Sequence, residues 1–379
     1  MSEVEFELRK LGDLIEIFNN KRVPLSAKQR EGLEKIYPYY GAQGIVDYVD
    51  DYIFDGKYIL IAEDGENLKS NNKSICTLAT GKYWVNNHAH IIKGNEGTNT
   101  DFLYYKLNSI NFAPYITGSA QPKLNKENLL NIELYIPSKE HQDKIAKVLT
   151  LLDQKIQINN QINQELEAMA KTLYDYWFVQ FDFPDQNGKP YKSSGGKMVY
   201  NQDLKREIPE GWGISKVGEL QISTGKRDAN FGIENGRYDF WTTANSPIKA
   251  DEFSFEGKAI LIAGNGNFYV NFTEGKFEAY QRTYVIQSED ENMLIFMYMA
   301  CLQSVEKLRK GSNGSIIKYI TIGDVNNISS PYNKKVVDEF VRIYSPLIDL
   351  ISKNKIQNQE LNQLRDWLLP MLMNGQVKV

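Results

Sequence analysis

Cysteine is nearly absent from this 379-residue chain, which holds only Cys76 and Cys301. The two lie in different halves with no second ligand-type residue at metal spacing, so neither a disulfide framework nor a zinc site is expected. Histidine is as sparse: His88, His90 and His141 are too few and too scattered for a metal cluster. No apolar run approaches the ~18 residues of a membrane span. The opening MSEVEFELRKLG lacks the charged-then-apolar layout of a signal peptide. A cytoplasmic location without membrane attachment is the expectation.

Catalytic signatures are missing too. No P-loop is present, because Gly196-Lys197 is followed by Met198. The nearest Gly-rich loop, Ala263-Gly264-Asn265-Gly266-Asn267, lacks a third glycine and an obvious following helix. There is no Pro-Pro pair, and hence no Asn/Asp-Pro-Pro-aromatic motif of an amino-methyltransferase. Pro184-Asp185 and Asp203-Leu204-Lys205 have the residue order of a magnesium nuclease, but they fall in a Gly/Lys/Ser-rich segment and read as a chance match. No catalytic residue, metal or cofactor is assigned to this chain. A basic excess is absent as well: 44 Lys and Arg stand against 48 Asp and Glu, a net charge of −4. That opposes a free-standing nucleic-acid binder, which needs a basic face to neutralise phosphate.

What is present is an ordinary globular composition, 42% hydrophobic and 24% charged with mean hydropathy −0.46, and an internal repeat. FELRKLGDL (Phe6 to Leu14) lies over WGISKVGEL (Trp212 to Leu220), and Lys21-Arg22 meets Lys226-Arg227. Tyr37 to Gly65 pairs with Tyr238 to Gly266 at a constant offset of 201. Within it DDYIFDGKYILIAEDG and DEFSFEGKAILIAGNG share nine of sixteen positions, where chance gives about one. KYWVNNHAHII (Lys82 to Ile92) pairs with KFEAYQRTYVI (Lys276 to Ile286). The runs YILIA and AILIA, punctuated by Asp-Gly or Glu-Gly before and Gly after, read as buried strands, as do HAHII and RTYVI. On a strand, His88 and His90 would point the same way.

Each sheet domain precedes a helical stretch. After Pro137 and a capping Ser138, apolar residues fall at Ile145, Leu149, Leu152, Ile156, Leu166, Ala170, Leu173 and Trp177. This heptad rhythm puts Asn159 and Asn163 in the same seam or, alternatively, on a solvated face. In the second copy Val341, Ile348, Leu361, Leu364 and Leu368 play this part, NQEL at Asn163 recurs at Asn358, and Pro346 implies a kink or a late start. The fold expected is α+β: two sheet-containing domains in pseudo-two-fold arrangement, separated by two long antiparallel helices forming an intramolecular coiled coil. The divisions are 1–138 and 208–332 for the domains, 139–180 and 333–379 for the helices, and 181–207 for a linker.

A binding surface remains. The 23 tyrosines include several beside amide or basic residues in turn-like stretches, among them Tyr39 to Gly44, Asn86 to His88 and Gly118 to Lys123. Amides read adenine edges, while Arg and Lys read guanine or hold phosphate. From residue type and repeat position the contacts expected are Lys21, Arg22, Tyr40, Gln43, His88, Gln121 and Lys123 in the first domain. In the second they are Lys226, Arg227, Asn245, Arg282, Lys310 and Lys318. Tyrosines at this level are also ordinary core residues, and Gln303 to Lys318 is either a basic patch or a solvated helix end.

Taken together, the openings FELRKLGDL and IPEGWGISKVGEL, the cores DGKYILIAEDG and EGKAILIAGNG, the passage GSAQPKLNKENLLNIELYIPSKEHQDKIAKVLTLLDQKI, and the endings LYDYWFVQFDFP and LRDWLLPMLMNGQV resemble the specificity subunit of type I restriction-modification systems over nearly the whole chain. The resemblance implies two target recognition domains, each reading one half of a split site on double-stranded DNA. It implies helices that set the half-site distance and dock two modification subunits. S-adenosylmethionine, ATP and magnesium would belong to those subunits and to the restriction subunits, and much of the DNA clamp with them. A helix of about 39 residues spans ~58 Å, or up to ~17 base pairs. In the second copy the Gln-Pro-Lys turn becomes Gly-Ser-Ile-Ile-Lys. An enzyme with unfamiliar motifs and a helical scaffold that reads no DNA are the rival readings.

Overall fold

A computed structural model describes residues 5–65, 68, 75–118, 121–311, 318–377 and 379. The chain forms two compact units, Met1–Asn160 with Lys355–Val379, and Gln161–Asn354.

In the first unit, strand Phe6–Lys10 pairs antiparallel with Glu133–Pro137. A four-stranded antiparallel sheet runs in the order Ile15–Ile17, Ala89–Gly94, Tyr58–Ala62, Cys76–Ala79. A mixed sheet runs Gly44–Val49, Tyr37–Gly41, Lys82–Val85, Phe54–Asp55, with Tyr37–Gly41 and Lys82–Val85 parallel. The second unit repeats this topology strand for strand. Gly213–Lys216 pairs with Ser329–Tyr332, one sheet runs Gln221–Thr224, Thr283–Gln287, Ala259–Ala263, Val270–Thr273, and the mixed sheet runs Ile248–Ala250, Tyr238–Trp241, Lys276–Ala279, Phe255–Glu256.

The apolar runs YILIA and AILIA are continuous because these strands are covered on both faces. Ile59 and Ile61 join the main core with Phe102, Leu103 and Leu107 of helix Thr100–Asn108, while Leu60 faces Phe54, Tyr83, Val85 and Ile91. In the other unit Ile260 and Ile262 face Phe296 and Met297, and Leu261 faces Trp241 and Phe277. Each strand is bracketed by glycines at matching places with positive φ: Gly56 at 135° and Gly65 at 122°, Gly257 at 100° and Gly266 at 75°. Any side chain there would be strained, which is why the punctuation survives in both copies.

The long helices are Lys139–Tyr174, extended by a π-turn over Asp175–Val179, and Lys334–Met373. The second starts at Lys334 and continues through Pro346, so of the kink or late start expected there the late start does not occur. The proline stands on the exposed face, while Phe340, Tyr344 and Ile348 on the opposite face are held in the core. In the first unit Asp153 meets Arg365 at 2.8 Å, and Asn159 donates to Asn358 Oδ1 at 2.9 Å and Gln357 Oε1 at 2.8 Å. In the second, Asn354 donates to Asn163 Oδ1 at 2.8 Å. Numbers rising on one helix as they fall on the other make the pairing antiparallel within each unit. The four asparagines are buried, which decides between seam and solvated face in favour of the seam.

Of the seam residues, Ile145, Leu149, Val341 and Ile348 are buried, and Leu152, Ile156, Leu166, Leu173, Leu361 and Leu368 are half-buried. Leu364 is exposed instead. From Asn358 the inward places fall at Leu361, Arg365 and Leu368, so Arg365 takes the position expected of Leu364 and satisfies its charge on Asp153.

Two further expectations are corrected. The segment expected as a linker is folded into the second unit: Phe183 stacks on Tyr191, Trp212 lies against Phe181 and Phe183, and Met198–Asn201 pairs with Arg206–Pro209, with Ile208 buried. Its Asp185, part of the nuclease-like order, spends its carboxylate on the N–H groups of Asn187 and Lys189 in a turn. His88 precedes its strand, which starts at Ala89, so it is exposed while His90 is buried.

Candidate nucleic-acid interface

In each unit the central strand, its antiparallel neighbour and the parallel pair of the mixed sheet end on one edge. The same backbone bonds build that edge twice. The Glu63 N–H donates to the His88 carbonyl at 2.9 Å, and the Gly264 N–H donates to the Arg282 carbonyl at 2.7 Å. The Leu124 N–H donates to the Glu63 carbonyl at 2.9 Å, and the Ile320 N–H to the Gly264 carbonyl at 3.0 Å. The Asn86 N–H reaches the Tyr40 carbonyl at 3.0 Å, and the Tyr280 N–H the Trp241 carbonyl at 2.9 Å. Bridges between Asp64 and Lys123, and between Asn265 and Tyr319, complete the match. Positions 63, 64, 88 and 123 therefore coincide with 264, 265, 282 and 319. The backbone is kept and every one of these side chains differs.

Tyr40, Gln43, His88, Gln121 and Lys123, all expected for the first domain, lie at or next to the first edge. Gln43 sits exposed in the two-residue turn between Tyr37–Gly41 and Gly44–Val49. Tyr40 packs edge-on against Tyr83 at 5.4 Å, and burial raises its phenol above the usual value. His88 Nδ1 lies 2.9 Å from the Asp64 carboxylate, which turns the rest of the ring outward. Lys123 is exposed, 3.5 Å from Glu63, and Gln121 is exposed two residues before it. Lys21 is exposed over the Phe18 ring.

Arg22 belongs to the frame of this edge. Its guanidinium is mostly buried, 2.8 Å from Glu63, and donates to the carbonyls of Asn19, Asn87 and Ala89. Nε and Nη1 are engaged in these bonds, while Nη2 makes none with a described residue and keeps two of the five N–H donors. Burial raises the Glu63 carboxyl, but the Arg22 hydrogen bond and the charges of His90, Arg22 and Lys123 outweigh it and hold the carboxyl below its ordinary value.

On the second edge Arg227 is likewise held, 3.1 Å from the fully buried Glu278 and above the Phe231 ring. Lys226 is exposed and lies over Phe255. Asn245 is exposed in the longer connection 242–247, where the first unit has its two-residue turn. Arg282 and Lys318 are exposed, and no ion pair with a described residue engages either one. Lys310 is set apart at the end of helix Glu291–Gly311, beside Arg309, which donates to the Asn267 carbonyl. Residues 119–120 and 312–317 lie outside the described residues.

Glu63, Asp64, Asn265 and Tyr319 escape a reading of the sequence alone. Tyr319, not Lys318, takes the place of Lys123, a one-residue difference visible only through the bridges. A shallow groove elsewhere in the first unit is lined by Glu5, Glu7, Asp13, Glu16 and Glu96 against Arg9 and Lys139, an acidic excess that disfavours phosphate. Among the described residues no group of three His, Cys, Asp or Glu stands at metal-binding distance, and no helix is long and apolar enough to cross a membrane.

Two sheet edges with one backbone and unlike polar side chains, carried by the two halves of one chain, define a duplicated recognition protein. The chain belongs to the family of the type I restriction modification DNA specificity domain, which matches residues 3–168 and again residues 209–366. It is similar to the type I restriction enzyme MjaIX specificity subunit of Methanocaldococcus jannaschii, 27% identical over 317 residues, 75% of this chain and 70% of that one. A putative type I restriction enzyme specificity subunit of Haemophilus influenzae is 40% identical over 148 residues, 39% of this chain and 37% of its own length. The crystal structure of a type I restriction-modification S subunit from M. genitalium shares the fold with a TM-score of 0.65 at 15% identity, covering 98% of this chain and 97% of that one.

Proposed function

We propose that the chain is the DNA-specificity subunit of a type I restriction-modification complex, and that each unit reads one half of a bipartite site on double-stranded DNA. The observation that carries this reading is the duplicated edge. A common backbone preserves how each head is presented, while unlike side chains suit half-sites of different sequence.

The net charge of −4 fits a subunit that shares phosphate neutralisation with partners. Two modification subunits would dock on the helices, and the outward faces support this. Leu151, Ile158, Ile356 and Trp367 are exposed on helical segments of the first unit, and Met169, Ile343 and Leu350 on those of the second. Exposed apolar helix faces of this kind suit association with other helices. S-adenosylmethionine would sit on the modification subunits, and ATP and magnesium on the restriction subunits. This chain would contribute recognition and spacing, with no catalytic group of its own.

Sequencing of modified bases in a host carrying the intact system tests the reading. The expected result is an adenine-methylated motif split into two specific halves by a fixed gap. A continuous motif overturns it, as does transfer of labelled methyl groups by the purified chain alone.

A further inference from the structure

Positions 88 and 282 share one backbone place but have different electrostatic surroundings. In the first unit acids stand at both neighbouring positions: Asp64 pairs with His88 at 2.9 Å, and Glu63 pairs with Arg22 at 2.8 Å and Lys123 at 3.5 Å. In the second unit those positions are Gly264 and Asn265, and Lys123 is replaced by Tyr319. Arg282 is thus an exposed guanidinium with uncharged neighbours at each matching place, in a turn fixed by the bond from the Gly264 N–H to its own carbonyl. A Cβ at Gly264 would lie 2.6 Å from that carbonyl oxygen, so a side chain there would have to widen this approach, as at the matching Glu63, whose N–H reaches the His88 carbonyl at 2.9 Å.

We infer that position 88/282 discriminates the two half-sites, and that Arg282 reads a guanine in the half recognised by the second unit. The inference rests on the function proposed above. A guanidinium presents a planar fork of donors that matches the O6 and N7 acceptors of guanine in the major groove, and no other base offers that pair. No described residue engages the fork in the second unit, whereas at the matching place of the first an imidazole is tied to a carboxylate. His88, with Nδ1 on Asp64, presents a single nitrogen outward and reads a different edge. The two heads therefore differ in chemistry at a place where their backbones agree.

The test uses the assembled complex and selection of bound duplexes from a randomised DNA library, for the wild type and for R282A, R282K and H88A. With the wild type, a bipartite motif holding a guanine in one half is expected. R282A should relax that one position roughly 10- to 100-fold and leave the other half unchanged. R282K should keep most of the overall affinity but lose the guanine preference, because an ammonium lacks the fork. H88A should alter the opposite half only.

If R282A weakens every sequence alike and lowers the salt slope by about one, Arg282 holds phosphate and the inference fails while the split-site function stands. An unchanged motif with R282A, or H88A and R282A altering the same half, overturns it equally. A wild-type motif that is not split refutes the proposed function itself.

Discussion

Of all the side chains on the two edges, His90 makes the sharpest single-residue statement. It is buried, with Nε2 2.7 Å from the Leu124 carbonyl and Nδ1 2.8 Å from the Asn19 amide. A carbonyl can only accept, so Nε2 carries the proton and Nδ1 accepts from Asn19, the neutral tautomer. Burial lowers its pKa, and although the Leu124 bond and Glu63 act in the opposite sense, Arg22 and Lys123 add to the lowering. Below the unfolded value of about 6.5 the unfolded chain takes up a proton that the folded one refuses, so stability falls as pH drops towards the folded pKa. Glu63, whose pKa is also lowered, loses its contribution in a second window below about 4.3. Urea midpoints measured from pH 7.5 to 5 should decline for the wild type and stay nearly flat for His90→Gln. An equal decline in both would locate the acid sensitivity elsewhere.

Elements were legible in proportion to how local their signal is. The heptad rhythm placed Asn159 and Asn163 in the seam because each step is three or four residues, but the second helix slips. Buried Ile351 and Asn358 stand seven apart and seven more gives Arg365, so after Leu361 the inward steps are four and three, through Arg365 to Leu368, and not three and four through Leu364. The linker reading failed for a different reason. A Gly- and Lys-rich composition describes the turns of 183–209 but not Phe183 and Ile208, which carry it into the core. At the edges the framework was readable from the repeat. The acids that hold Arg22 and Arg227 were not, since Glu63 and Glu278 lie 41 and 51 residues further along the chain.

The asparagine layer yields a test at the same scale. Asn159→Leu alone leaves the buried Asn358 Oδ1 without its donor and should cost about 1–3 kcal/mol. Asn159→Leu with Asn358→Leu should recover that loss, because an apolar pair of similar shape needs no partner. Chemical denaturation of both variants decides it. A double variant less stable than the single would mean that the layer is needed for folding itself.

At the scale of the whole chain, the first unit is completed by residues far along the sequence. Leu372 and Met373 belong to the core of the first unit, alongside Phe102 and Leu107, and the nearly buried Lys106 donates to the Met373 carbonyl at 3.1 Å. Burial lowers the Lys106 pKa, and the ammonium is kept in place by a carbonyl at the negative end of the helix. The amino-terminal domain therefore cannot complete its core until the final helix has been made, a contact separation of 267 residues. The second unit, Gln161–Asn354, has no such debt, because its core is closed by its own residues, among them Tyr174, Phe178, Phe296 and Phe340. Truncation after Asn354 should destabilise the first unit selectively, since each lost core side chain removes about 2–5 kcal/mol of packing. Hydrogen exchange read peptide by peptide should rise throughout residues 5–138, including the central strand Tyr58–Ala62, while Ala259–Ala263 in the second unit stays protected. Leu372→Ala is the milder form of the same test, with exchange rising in Thr100–Asn108 ahead of any change near Phe296. If protection in the two units falls together, the chain folds as a single cooperative body and the first unit has no separate dependence on its distant C-terminal helix.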